Sequence, residues 1–109
     1  MALALFKERR MSIRKQLTGL LPGKLVDENG KTLNAEPVDV SEHGLGIVTQ
    51  SRLEEGEELY LVLSKERSIR LKVVWSSEDF TKNDLTRYGL QCSGDINLEE
   101  IFIQYMCLK

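Results

Sequence analysis

The chain has 109 residues, enough for one compact domain and too few for two. Its apolar share of 41% is that of a globular protein, and no apolar run approaches the roughly 20 residues that cross a bilayer, so a disordered body and a spanning helix are both excluded. The net charge of −2 is unevenly spread: residues 1–24 carry six cations against Glu8, a net of +5, on a body of −7, which argues against a broad nucleic-acid surface and suits a small anionic ligand.

The first residues, Met1 to Leu5, are apolar but soon meet Lys7, Glu8, Arg9 and Arg10. A secretory signal places its charges before a longer apolar stretch, so the order argues against export and for a cytoplasmic protein. Residues 1–16 are expected to form a flexible basic arm, and residues 17–109 the folded domain. Thr18 to Val26 is the first strand candidate, interrupted by Pro22 and Gly23, a break that belongs at an edge or bulge. Asp27-Glu28-Asn29-Gly30-Lys31 follows as a tight reversal, and Thr32 to Val40 as the returning strand. Ser41-Glu42-His43-Gly44 is the next turn, with His43 expected as an exposed turn residue. Leu45 to Thr49 is a short strand. Glu57 to Leu63 is another, with Leu59, Leu61 and Leu63 alternating inward.

Ile69, Leu71, Val73 and Trp75 share one face while Arg70 and Lys72 point the other way, the clearest period of two in the chain. On that pattern Trp75 belongs to the core rather than to a base-stacking platform. Ser76 to Thr86 reads as a polar loop and Arg87 to Cys92 as a sixth strand. A helix over 97–108 closes the chain, with Asn97 as cap and Leu98, Ile101, Phe102, Tyr105 and Leu108 as its apolar stripe. The reading is all-β: a six-stranded antiparallel β-barrel with a C-terminal α-helix. Cys92, in a strand, and Cys107, in the last helical turn, read as reduced thiols packed as small hydrophobes. His43 is the sole histidine, so no soft-ligand set with zinc spacing exists, and neither a metal nor a cofactor is expected.

Two clusters carry chemistry. Arg9, Arg10 and Arg14 precede the first strand; guanidinium groups give paired hydrogen bonds to phosphate oxygens and to the O6/N7 edge of guanine. Asp39, Ser41 and Gly44 end the returning strand; a carboxylate accepts from the N1–H and N2–H donors of guanine, and glycine permits positive φ or close approach of a ligand. Read alone, the first is a solvated basic tail and the second an ordinary turn.

Together, Arg10-x-x-x-Arg14 and Asp39-x-Ser41-x-x-Gly44 resemble the paired signature of PilZ domains, bacterial receptors for cyclic di-GMP. Gly44-Leu45-Gly46-Ile47, Val73-Val74-Trp75 and Arg87-Tyr88-Gly89-Leu90 extend the likeness over roughly Arg9 to Cys92, without departure at the five signature positions. The resemblance implies that Arg10 and Arg14 hold the phosphates and guanine from the arm, that Asp39 and Ser41 bind a guanine on the barrel surface, and that Gly44 shapes the turn. Arg9, preceding the first motif arginine, implies two stacked, intercalated ligand molecules. The expected function is a receptor and adaptor that changes conformation on binding and signals to an unidentified protein effector, in control of a process such as motility or biofilm formation. No catalytic constellation is legible. The rival reading is a ligand-independent interaction module of the same fold, as in type IV pilus assembly, with the C-terminal helix or the acidic loop near Glu78 and Asp79 as its contact. A single-stranded nucleic-acid barrel is disfavoured by the acidic body and the 6% aromatic content.

Overall fold

The computed structural model describes residues 17–77 and 84–108. Six strands appear in the expected order: β1 (Lys24–Val26), β2 (Ala35–Val40), β3 (Gly44–Thr49), β4 (Glu58–Ser64), β5 (Arg67–Ser77) and β6 (Thr86–Gln91), followed by α1 (Leu98–Gln104). All pairings are antiparallel, and the sheet runs β1-β4-β5-β6-β3-β2. It curls into a half-barrel. Its two edges come together at the first reversal, where Leu33 N–H donates to Leu25 O at 2.7 Å and Val26 bridges Thr32. Asp27 organises that reversal: its Oδ1 accepts from the amides of both Asn29 and Lys31 at 2.9 Å.

The concave face holds the core. Leu25, Ile47, Leu59, Leu61, Ile69, Leu71, Val73 and Leu90 line it, and Leu98, Ile101 and Phe102 of α1 pack onto it. Tyr88 is also inside; its hydroxyl accepts from Leu53 N–H and donates to Ser51 O, tying the β3–β4 connection to β6. Asn97 caps α1 as expected, its Oδ1 accepting from Glu100 N–H at 3.1 Å. The helix starts against the β2–β3 turn, where Leu98 N–H donates to Glu42 O, and the segment after it lies beside Leu17 and Thr18: Leu17 bridges Leu108, and Thr18 N–H donates to Cys107 O.

Several expectations are corrected. The first strand is three residues long, because Thr18 bonds to the chain end rather than to the sheet. The helix stops at Gln104, with Met106 in the left-handed region (φ 61). Cys107 N–H then reaches back to Phe102 O and Met106 N–H to Ile103 O, the paired bonds of a Schellman closure. Cys107 therefore lies beyond the helix, and Tyr105, at 41% exposure, leaves the apolar stripe while Leu108 keeps its place in the core. The strand expected to end at Trp75 runs on to Ser77.

The largest correction concerns Trp75. It is 41% exposed and lies on the convex face. The register of β5 against β6 slips by one residue between Val73 and Trp75, so Val73 pairs with Leu90 and Trp75 with Gly89, and the buried Val73 is followed by the exposed Val74 and Trp75. A second bulge sits on β2 between Pro37 and Asp39; Pro37 is buried, Val38 and Asp39 both face out, and Val40 packs against the core.

Candidate functional site

The two bulges flank one row of residues. Trp75 on β5 pairs with Gly89 on β6, Gly89 with Gly46 on β3, and Gly46 with Asp39 on β2. Strands lie about 4.8 Å apart, so this row is a shallow trough about 14 Å long, floored by two glycines and ended by an indole and a carboxylate. Each end side chain leans over its neighbouring glycine. A methyl group on Gly46 would stand 2.5 Å from Asp39 Oδ1, and one on Gly89 would overlap Trp75 Nε1. Neither glycine has a positive φ, so they are there for space.

Asp39 has a partner one row away. Arg87, two residues before Gly89 on β6 and on the same face, donates from Nη2 to Asp39 Oδ2 at 3.0 Å. The pair is open to solvent, with side-chain exposures of 40% for Arg87 and 63% for Asp39. Arg87 Nε, by contrast, is buried with no hydrogen-bond partner among the described residues. On the other side of the trough, Lys72 pairs with Gln91 and Gln91 with Gly44, which places a lysine in the row of the β2–β3 turn.

That turn is closed by Ser41 N–H donating to Gly44 O at 2.9 Å. Ser41 is exposed. Gly44 has no positive φ, and an added methyl there would meet Ser41 Oγ at 3.1 Å. His43 is half-buried rather than free: its Nδ1 lies 2.9 Å from Ile96 O, which assigns the proton to Nδ1, and its carbonyl accepts from Cys92 N–H. The turn is thereby fixed to the segment leading into α1.

Of the expected site residues, Asp39, Ser41 and Gly44 come together at one end of the convex face. Arg9, Arg10 and Arg14 lie outside the described residues, as do Glu78 and Asp79. Trp75, Gly46, Gly89 and Arg87 join the site without having been assigned to it. One signal could have found the glycines: each interrupts the middle of a strand, where glycine marks close approach of another group to the backbone. No group of three or more metal-ligating side chains occurs among the described residues, and no helix there is long and apolar enough to cross a membrane.

The arrangement is that of a small β-domain presenting an acidic, hydroxyl-bearing turn beside an aromatic-walled trough. The family model of the PilZ domain matches residues 8–106, and the chain belongs to the PilZ domain family. Domains of this family are generally non-catalytic receptor modules that typically bind cyclic di-GMP. Comparisons with curated proteins and with solved structures find no match.

Proposed function

We propose that this chain is a cyclic di-GMP receptor and adaptor. The observation that carries the reading is the Asp39 carboxylate, held out on the convex face by the Val38 bulge, with the exposed Ser41 two residues on. A carboxylate in that position accepts the N1–H and N2–H donors of a guanine, and the hydroxyl supplies a further donor or acceptor. Gly46 and Gly89 let the Asp39 carboxylate and the Trp75 indole lie close over the sheet, so a base beside Asp39 has an aromatic wall in the same row. Arg10 and Arg14 would grip the ligand phosphates, with Arg9 favouring a stacked pair of ligands.

In this reading the ligand joins residues 9–14 to the β2–β3 turn and alters the charge of the convex face, which is what a protein effector would sense. The rival, a ligand-independent interaction module, draws on the exposed Ile103, Tyr105 and Met106 at the far end of α1. Isothermal titration of cyclic di-GMP, with GTP as control, separates the two. The receptor reading expects saturable binding that Arg10→Ala and Asp39→Ala each abolish, and a stoichiometry near two would support the role of Arg9. No heat at high micromolar ligand would leave the interaction module.

A further inference from the structure

We infer that Arg87 and Asp39 act as a single base-reading unit, with Arg87 as a specificity-determining residue for the ligand's guanine; this rests on the receptor reading. Guanine offers, in order along its pairing edge, a donor (N2–H), a donor (N1–H) and an acceptor (O6). The complement is acceptor, acceptor, donor, the order presented by cytosine. Asp39 supplies two acceptors, Oδ1 over Gly46 and Oδ2 towards Arg87, and the guanidinium 3.0 Å from Oδ2 supplies the donor beside them. Oδ2 can accept from Arg87 and from N1–H together, because a carboxylate has about four lone-pair sites.

Two observations favour this over an ion pair that only supports the fold. The pair is exposed on both sides, and exposed pairs of this kind contribute little to folding. Arg87 is the second residue of β6, paired with Val48 on β3 and with Ser77 on β5, so its guanidinium is carried by the sheet. Adenine carries a donor at the place of O6 and an acceptor at N1, and so opposes both members. The Gly46 floor matters here too, because a side chain in that place would displace Oδ1.

The test compares cyclic di-GMP with its analogue carrying sulfur at both guanine 6-positions, since sulfur is a weak acceptor. Wild type is expected to favour the oxygen form by about tenfold, the scale of one hydrogen bond involving a charged group. Arg87→Ala should bind cyclic di-GMP about tenfold more weakly and lose the preference between the two forms. Arg87→Lys, which keeps a charge and a donor, should retain part of it. A preference unchanged in Arg87→Ala, or absent from wild type, overturns the role of Arg87 while leaving the receptor reading intact. Wild-type protein that binds neither form overturns both.

Discussion

At the scale of single residues, the site depends on what is missing from Gly46 and Gly89. Each is kept bare so that a neighbouring side chain can lie across it. Gly89→Ala should push the indole of Trp75 off β6 and into water. Trp75 is the sole tryptophan, so its emission should move to the red and its quenching by acrylamide increase. Because the ring lies on the convex face, stability should fall by no more than about 1 kcal/mol, less than overpacking a core costs. A second residue-scale case is Met106, a non-glycine in the left-handed region at the place where helices favour glycine. Met106→Gly should raise the urea midpoint, with a gain of up to about 1 kcal/mol from relief of that backbone.

At the scale of elements, much was legible. Asn29-Gly30, the alternating leucines of β4 and the Asn97 cap each state their structure locally. The D-x-S-x-x-G turn was equally plain, since its residues are contiguous. Trp75 was not, and the reason is physical. In Ile69-x-Leu71-x-Val73-x-Trp75 the alternation appears unbroken, but Val74, where the register slips, is as apolar as its neighbours, so nothing in the pattern marks the slip. Arg87 was hidden for a different reason: its relation to Asp39 spans 48 residues and depends on the sheet order β6-β3-β2. The bulge makes a sharp prediction. Deleting Val74 converts β5 to a regular ladder with Val73 still inside and Trp75 still outside. The variant should melt cooperatively and keep exposed tryptophan emission. Emission shifted to the blue would show that the indole had turned inward.

At the scale of the whole molecule, the core under the sheet sets the behaviour of the two thiols. Burial pushes the Cys92 thiol up, against a backbone hydrogen bond that lowers it, with the nearby Asp95 charge raising it further; burial alone raises Cys107. Both therefore remain protonated in the folded state at pH values where an exposed thiol, near pH 8.5, ionises. The sign follows: their contribution to stability is present below about pH 8.5 and is lost as the pH rises through the higher folded-state values. Labelling by a thiolate-specific reagent at pH 8 should be slow in native protein and rapid in denaturant. Rapid labelling of native protein would show that the end of the chain beyond α1 opens readily.

The bridge between Leu17 and Leu108 has a consequence for affinity. It fixes Leu17 close to the end of α1. Arg10 is seven residues from that anchor, so whatever path the chain takes, its Cα stays within about 25 Å of Leu17. In the proposed receptor reading the arginines are tethered reagents, present at an effective concentration that can reach the millimolar range whatever the dilution of the protein. The two halves of the proposed site then act as a bivalent binder made from one chain. Lengthening the tether with a Gly-Ser insert after Lys15 should weaken cyclic di-GMP binding gradually, following dilution of the arm, whereas removal of Arg10 should weaken it in one step.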